Sequence, residues 1–436
     1  MSLSTQPYKG TRDFYPEDMR LQKHIFDVWR QVCERFGYEE YTAPVLESAE
    51  IFEAKSGQEI VNEEMYTLVD KGDRRLALRP EMTPSVSRMV AGRRQELAYP
   101  LRWYSIPDLW RYDRPQRGRL RQHWQLNVDI FGVEGAQAEH EIILLADQIM
   151  REFGAKRNMY EIRLNNRQFV DFLLKDHLGL SDTEAHSIAK LIDKMHKLPD
   201  GEFEVLAEAS LAPSHRESGV LDKLQSILKV KDIELLAEEL KTHRSLRQIA
   251  TVLSMLAKAG VSNARFDITL MRGFDYYTGL VFEVFDLHPD NNRAMFGGGR
   301  YDGLVGMFGV DPVPTVGFGQ GDVGMQLFLE SHDLLPKLNS ETELYAVVFE
   351  GYYEKAQKLI HELREMGLNV AVDASGRKLD KCIRSAEKKS IRFVAFLGEN
   401  ELAEDQLTIK DIISGKEEKH SPQRVVSIIK DQRNRR

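Results

Sequence analysis

The periodicity of this 436-residue chain changes character twice before residue 330. Short β-branched and aromatic runs, separated by Gly, Asp and Pro, fill the first part and predict antiparallel strands. From Phe169 to Ala259 the pattern becomes almost wholly helical, with a capping box at Ser181 and Glu184. Strand-like runs resume at Arg265. The helical block is therefore predicted to be an insertion in one antiparallel sheet that helices flank.

The boundaries of these elements follow from the apolar spacing and the turn residues. A linker around 336–342 precedes a different rhythm, in which strands and helices alternate and predict a separate α/β domain. The fold class is α+β, with a first sheet segment at 1–168, the helical insertion at 169–260, a second sheet segment at 261–335 and the α/β domain at 342–436. The predicted strands of the sheet are Tyr38–Val45, Met65–Val69, Arg75–Leu78, Leu101–Leu109, Gln125–Phe131, Arg265–Leu270, Leu280–Phe285 and Val313–Gly319, with helices at Gln22–Phe36, Glu139–Phe153 and Met325–Ser331.

Composition excludes several classes of protein. No stretch approaches the roughly 18 to 20 apolar residues of a membrane helix, and the N-terminus lacks the apolar core of a signal peptide. Cys33 and Cys382 are the only cysteines, so neither a disulfide framework nor a CxxC metal site is available. These features predict a cytoplasmic protein without membrane contact. We assign no residue as a metal ligand. A net charge of −8 argues against a general polyanion binder but leaves local basic patches open.

The densest chemical signal is a run of five arginines within eleven positions. Such a run is commonly the solvated face of a surface hairpin. Here Pro115 and Gly118 mark a loop between two predicted strands, so the guanidinium groups could instead enclose a polyphosphate or a nucleic-acid end. The run implies an anionic substrate; its members are Arg111, Arg114, Arg117, Arg119 and Arg121.

Two further segments combine polar groups that need partners. Glu81 and Thr83 lie two residues apart, which places a carboxylate and a hydroxyl on one side of an extended chain, where they can hold an ammonium group. An ordinary surface turn explains Arg-Pro-Glu equally well. The segment Arg272–Gly279 places a basic residue, an acid and two tyrosines before an apolar strand, a combination that is costly to bury without a ligand.

Glycine-rich runs form the fourth signal, at Phe296–Gly303 and Val316–Gly324. Glycine lets a ligand or a neighbouring backbone approach closely. Gly319, Gly321 and Gly324 spell GxGxxG, a pattern that also occurs in the dinucleotide-binding sites of oxidoreductases. Against that alternative, the preceding strands are antiparallel in character and no ribose-binding acid follows about 20 residues on. The chain also lacks GxxxxGK[ST], HExxH and GxSxG motifs.

Taken in order, these segments resemble the class II aminoacyl-tRNA synthetases, and among them the histidyl-tRNA synthetase family. Gly10–Asp13 is similar to that family's opening and Gly37–Pro44 to motif 1, which builds the dimer interface; Arg111–Gly132 resembles motif 2. Arg272–Thr278 resembles a signature of the histidyl enzymes. The C-terminal segment resembles the family's anticodon-binding domain. The resemblance covers nearly the whole chain and implies a class II antiparallel sheet, a homodimer and tRNA(His) as partner.

The resemblance also implies a role for each matching residue. Glu81, Thr83 and Gln125 would hold the α-ammonium of L-histidine, with Met82 beside them. Asp129 and Tyr277 would bind the imidazole, with Tyr276 lining the same pocket. Arg111 and Arg272 would be the two catalytic cations, each contacting histidine and ATP, and Mg²⁺ would bridge the phosphates. The implied ATP site comprises Arg111, Asp113, Arg119, Arg121, Arg272, Gly317, Gly319 and Gly321.

Two positions depart from the family pattern. Asp113 replaces a Glu near the adenine. Val323 and Gly324 stand where motif 3 has Glu-Arg, so an arginine that packs on adenine and the γ-phosphate is missing. Either another group, such as Arg300, takes its role, or ATP binding is weakened. The second alternative leads to a non-catalytic paralogue that senses histidine or tRNA, of the regulatory-subunit type.

Overall fold

The computed structural model describes residues 3–54, 63–195, 198–271, 276–291 and 293–434. The chain forms two compact units, Met1–Leu335 and Pro336–Arg436. In the described ranges, no helix is long and apolar enough to span a membrane. Both cysteines are buried free thiols.

The strands of the first unit form a large central sheet and a small side sheet. They are β1 (Glu39–Glu40), β2 (Leu46–Ser48), β3 (Tyr66–Val69), β4 (Arg75–Leu78), β5 (Leu101–Ser105), β6 (Asp108–Trp110), β7 (Gln122–Phe131), β8 (Tyr160–Asn166), β9 (Ala264–Phe266), β10 (Leu280–Asp286), β11 (Ala294–Arg300) and β12 (Thr315–Gly321).

The helices of this unit flank the sheet or fill the segment between β8 and β9. They are α1 (Pro16–Arg35), α2 (Ala49–Glu53), α3 (Thr83–Gly92), α4 (Gln137–Glu152), α5 (Arg167–Asp171) with a π-helical continuation (Phe172–His177), α6 (Asp182–Lys194), α7 (Glu202–Ala209), α8 (Pro213–Glu217), α9 (Val220–Leu228), α10 (Glu238–Lys241), α11 (Arg244–Lys258) and α12 (Asp322–Ser331), with short 3₁₀ turns at Ile233–Leu235, Pro289–Asn291 and Val305–Phe308.

The central sheet confirms the predicted α+β class. Its strand order is β1-β5-β7-β12-β11-β10-β8-β9, with β6 also paired to β7. The interior pairs are antiparallel, as predicted, whereas the short edge pairs β1–β5 and β8–β9 are parallel. Helices α1 and α4 bury their apolar faces, including Trp29 and Ile142, in the core on one side of the sheet.

Several elements differ from the predicted ones for local reasons. The strand predicted at Arg265–Leu270 ends at Phe266, because the Asp267 carboxylate accepts bonds from the Thr269 backbone N–H and hydroxyl and turns the chain. Helix α1 begins at Pro16, earlier than predicted, where Pro occupies the first helical position. Strands β2, β8 and β11 and helices α2 and α3 were not predicted, and of the strand predicted at Tyr38–Val45 only Glu39–Glu40 forms.

The described strands of the second unit are β13 (Leu344–Val348), β14 (Val370–Asp373), β15 (Phe393–Leu397), β16 (Leu407–Asp411) and β17 (Glu417–His420). They form one sheet in the order β14-β13-β15-β16-β17. The pairs of β13 are parallel and those of β16 antiparallel. Strand–helix alternation follows the prediction up to β15; the β16–β17 hairpin and the last helix were not predicted. The helices are α13 (Tyr353–Glu365), α14 (Leu379–Lys388), α15 (Glu399–Glu404) and α16 (Pro422–Asn434).

Candidate active site

The centre of the sheet places a glycine strand beside a polar strand. In the β7–β12 register, Gly317 lies opposite Asp129 and Gly321 lies opposite Gln125. A Cβ at Gly317 would run into the Asp129 carboxylate, and one at Gly319 would lie 2.8 Å from Gln125 Cδ. The glycines of β12 therefore leave the space that the polar side chains of β7 occupy.

A buried polar cluster stands next to this strand pair. Tyr301 donates a hydrogen bond to Asp129, and Tyr276 donates one of 3.2 Å to Glu81. The rings of Tyr276 and Tyr301 meet edge to face at 5.6 Å between centroids, and the Tyr277 ring lies 4.9 Å from that of Tyr276. The tyrosines thus join the two carboxylates into one buried cluster, whose residues come from segments distant in the chain.

Burial sets the protonation of the Asp129 carboxylate. Asp129 is only 4% exposed. Burial raises its pKa to about 7, although the bond from Tyr301 opposes the shift. The same environment raises the pKa of the Tyr301 hydroxyl well above its usual value, first through burial and then through Asp129. The pair can therefore donate or accept a hydrogen bond near neutral pH, which suits recognition of an imidazole.

Arg79 fixes the segment that carries Glu81. Its Nη1 donates to the Ala43 carbonyl at 2.7 Å, its Nε to the Asp108 carbonyl at 2.9 Å, and its Nη2 to Asp108 Oδ1 at 2.9 Å. Met82 is fully buried, and Thr83 begins α3. The chain at Glu81–Thr83 is therefore not extended as predicted, because the helix starts at the residue that was expected to continue the strand.

The arginine run divides into two groups. The Arg111 Nε donates to the Pro80 carbonyl at 2.8 Å, which brings this guanidinium to the turn before Glu81. Arg119 pairs with Asp113 at 3.3 Å. Beside them, burial and the charge of Asp113 raise the pKa of Glu64 to about 6, whereas the positive charges of Arg111 and Arg119 lower it.

The other arginines of the run lie elsewhere. Arg121 is buried: it donates to the Tyr8 hydroxyl at 2.6 Å and stacks on the Tyr112 ring at 4.0 Å. Arg114 and Arg117 are exposed near the tip of the loop, where Gly118 has a φ of 82°. The predicted loop at Pro115 and Gly118 is present.

Arg272 and the following residues to 275 lie outside the described residues, so the structure says nothing of that predicted catalytic cation. Val323 and Gly324 lie in the first turn of α12, with no positive side chain at either position. The GxGxxG pattern, whose sequence context argues against a dinucleotide site, lies on β12, and β12 is antiparallel to both of its neighbours.

Sequence reasoning missed two residues of this site. Tyr301 lies within a glycine-rich run that was noted for its glycines and for Arg300, and its pairing with Asp129 spans 172 positions. Arg79 belongs to the Arg-Pro-Glu segment and was overlooked because its partners, two backbone carbonyls and the Asp108 carboxylate, lie 29 to 36 positions away in the chain. An arginine directly after a strand and before a candidate ligand-binding acid was the available signal for it.

Comparison with known proteins is consistent across the chain. The family model for histidyl-tRNA synthetase matches residues 10–320, and that for an anticodon binding domain matches residues 341–432. A histidine–tRNA ligase of Leptospira biflexa is 41% identical over 414 residues, covering 94% of each chain.

Two solved structures share the fold. A histidyl-tRNA synthetase from Nostoc sp. superimposes with a TM-score of 0.82 at 22% identity, covering 99% of this chain and 100% of that one. An ATP phosphoribosyltransferase regulatory subunit/histidyl-tRNA synthetase from Bacillus halodurans has a TM-score of 0.72 at 24% identity, covering 91% of this chain and 99% of that one. The family match over most of the length, the sequence identity and the class II architecture together place this chain in the histidyl-tRNA synthetase family.

Proposed function

We propose that this chain is a histidine–tRNA ligase. The carboxylate of L-histidine attacks the α-phosphorus of ATP, which releases pyrophosphate and forms histidyl-adenylate. The 3′-terminal adenosine hydroxyl of tRNA(His) then attacks the acyl carbon, and AMP leaves. The observation that carries the proposal is the buried polar cluster in which Glu81–Tyr276 and Asp129–Tyr301 meet beside Arg111. The relative of 41% identity over nearly the full length supports the same reaction.

The polar groups of the pocket match the two ends of histidine. Glu81 supplies a negative charge, and Thr83 and Gln125 supply acceptor oxygens, so an α-ammonium finds the acceptors it requires. The imidazole has two nitrogens, one a donor and one an acceptor in its neutral form. Asp129 and Tyr277 offer groups that can serve both. A carboxylate held by a tyrosine in a buried site is a fixed partner, which favours selectivity over an apolar side chain of similar size.

Catalysis in this scheme is electrostatic. No protein nucleophile is needed, because the substrate's own carboxylate attacks. Arg111 and Arg272 would flank the reacting phosphorus and stabilise the charge that develops in the transition state. Gly317 and Gly319 would act indirectly, by leaving room for the side chains of Asp129 and Gln125, and Gly321, at the end of the strand, would let the nucleotide approach the sheet.

The remaining arginine-loop residues have supporting roles. Asp113 and Arg119, which are paired to each other, would contact the nucleotide at the loop. Arg121 would act indirectly, by holding the loop through its contacts with Tyr8 and Tyr112.

Mg²⁺ fits this site as an ion carried by the substrate. Among the described residues no group of three or more His, Cys, Asp and Glu side chains could hold a metal. Mg²⁺ in nucleotide sites keeps several waters and binds mainly through phosphate oxygens, so it requires no such group. Bound in this way, it would neutralise part of the polyphosphate charge.

We further propose that the chain acts on tRNA(His) as a cytoplasmic homodimer. The match of residues 341–432 to an anticodon binding domain supports contact with tRNA. Cys33 and Cys382 are free thiols, as a reducing compartment favours. Light scattering of the purified protein tests the dimer.

Histidine-dependent exchange of labelled pyrophosphate into ATP, without tRNA, tests the first step. We expect exchange with histidine and none with other amino acids, and Glu81→Gln should raise the KM for histidine, since the ammonium loses a charged partner. Glu208→Gln, on an exposed helix face, is the control for loss of a carboxylate. Folded protein that binds histidine but shows no exchange would favour the sensing paralogue instead.

A further inference from the structure

The N-terminal segment places an arginine at the end of the glycine strand. Arg12 Nη2 lies 2.6 Å from Asp322 Oδ2, in the first turn of α12 directly after Gly321. Asp322 is buried and also accepts bonds of 3.0 Å from the Trp124 backbone N–H and from Gln22 Nε2. Asp322 therefore holds one edge of the Arg12 guanidinium in a fixed position, two residues from the motif 3 position at Gly324 that lacks an arginine.

The chain before Arg12 is also fixed, by backbone hydrogen bonds and close packing at Gly10. The Gly10 carbonyl accepts hydrogen bonds from the backbone N–H groups of Arg121 and Gln122, at 2.7 and 3.3 Å. Gly10 has a φ of 87°, and a Cβ there would lie 2.7 Å from Arg121 Cγ. Only glycine suits this approach. The contact fixes the N-terminal segment along the start of β7, so Arg12 is not on a free tail.

Arg12 retains unused donor capacity. Its Nε is buried and has no hydrogen-bond partner in the part of the chain that the structure describes, and its side chain is 23% exposed. The guanidinium lies 4.8 Å from the centroid of the Phe14 ring, which contributes no hydrogen-bond acceptor in the ring plane. The protein therefore does not use every donor of this guanidinium, and a charged side chain that is partly exposed can bind an anionic ligand.

The surroundings of His123 identify the charge of that ligand. A Cβ at Gly321 would lie 4.0 Å from His123 Cδ2, so this imidazole stands at the end of the glycine strand. Burial, followed by the positive charges of Arg111, Arg12 and Arg119, lowers the pKa of His123 to about 3, while Asp108 raises it. Three guanidinium groups therefore act on one neutral ring, so an anion bound there would meet several charged donors at once, although Asp322 and Asp113 already pair with two of them. A polyanion would satisfy this arrangement.

Arg300, the other candidate for the missing cation, is already paired with a buried carboxylate. It forms a buried two-pronged pair with Glu139, at 2.6 and 2.9 Å, and its Nη1 donates to the Val133 carbonyl at 3.1 Å. Moving it to a ligand would leave Glu139 buried without a charged partner, with only the hydrogen bond from Gln248.

We propose that Arg12, oriented by Asp322, binds the polyphosphate of ATP and supplies the guanidinium that Val323 and Gly324 do not. The proposal rests on the ligase function given above. It makes Arg12 a substrate-binding residue of the activation step and Asp322 a positioning residue.

The test is pyrophosphate exchange at varied ATP and saturating histidine. We expect Arg12→Ala to raise the KM for ATP about tenfold or more, consistent with loss of a charge-assisted contact, and to change the KM for histidine less than about twofold. Adenosine, which carries no phosphate, should bind the variant as it binds the wild type. In the double variant Arg12→Ala/Gly324→Arg, a guanidinium returned from the neighbouring position should recover part of the ATP affinity. Arg30→Ala is the matched control, since Arg30 is a half-buried arginine on α1 that also pairs with a carboxylate.

Arg12→Lys covers the case in which Arg12→Ala fails to fold, because lysine retains a positive charge for Asp322 but lacks the planar fork. It should also raise the KM for ATP. Unchanged ATP kinetics in a folded Arg12 variant, or equal losses for ATP and adenosine, would overturn the role of Arg12 while wild-type exchange still supported the ligase. Absence of exchange in the wild type would instead count against the ligase function itself.

Discussion

Asp129 offers a test of the pocket that needs no substrate. Its side chain is buried against Tyr301 on the central strand β7, and burial raises its pKa to about 7 in the folded chain. In the unfolded chain the carboxyl should titrate near its usual value of about 3.9. Between these values the folded state binds one more proton than the unfolded state, so raising the pH through this window lowers the free energy of unfolding.

The size of the effect follows from the shift. About three pKa units correspond to roughly 4 kcal/mol once the carboxylate is ionised in both states, well above pH 7. Between pH 5 and pH 8 the contribution of Asp129 to the free energy of unfolding changes by about 2–3 kcal/mol. Below about pH 4 this pH dependence vanishes, because the carboxyl is protonated in both the folded and the unfolded state. Asp129→Asn keeps an acceptor for Tyr301 but cannot ionise, so the variant should lose this part of the pH dependence.

The assay is urea unfolding followed by tryptophan fluorescence at pH 5, 6, 7 and 8. All four tryptophans lie in the first unit, and Trp103 lies opposite Asp129 on β5, so the signal reports the unit that contains the site. Taking the difference between variant and wild type at each pH removes the contribution of other groups. Glu208→Gln is the exposed control. Parallel pH profiles for wild type and Asp129→Asn would refute the reasoning that burial keeps this carboxyl protonated.

Three further expectations follow from the structure. Arg300→Met should destabilise the first unit by about 3–5 kcal/mol, since it strands the fully buried Glu139; a loss under about 1 kcal/mol in the same unfolding assay would contradict this. Gly317→Ala should abolish histidine binding or folding, because its Cβ would collide with Asp129 and lie 2.6 Å from the Val128 carbonyl, whereas Gly303→Ala meets open space and should bind histidine normally in calorimetry. Binding of tRNA should weaken about tenfold or more between 50 and 200 mM salt in filter assays if several phosphates are contacted, and a flat profile would count against the exposed arginines of the loop as contacts.

Local patterns in the sequence were enough to predict much of the architecture. The apolar spacing of α1, the helical block after β8 and the strand–helix alternation after residue 342 each depend on periodicity within a short window, which a sequence displays directly. The glycine strand β12 and the arginine loop were recognised for the same reason. Elements were missed where local composition misleads: β11 contains three successive glycines, which disfavour a strand unless neighbouring strands hold them.

What the sequence could not decide is which distant groups meet. Resemblance to a family placed Glu81 and Asp129 in one pocket, but the tyrosine that holds Asp129 and the acid that holds Arg12, 310 positions away, depend on strand register and on the entry of the N-terminal segment beside β7. The protonation of Asp129 and the pairing of Arg300 with Glu139 depend on burial. Burial and register are set by the packing of the whole sheet, and no short window of sequence contains that information.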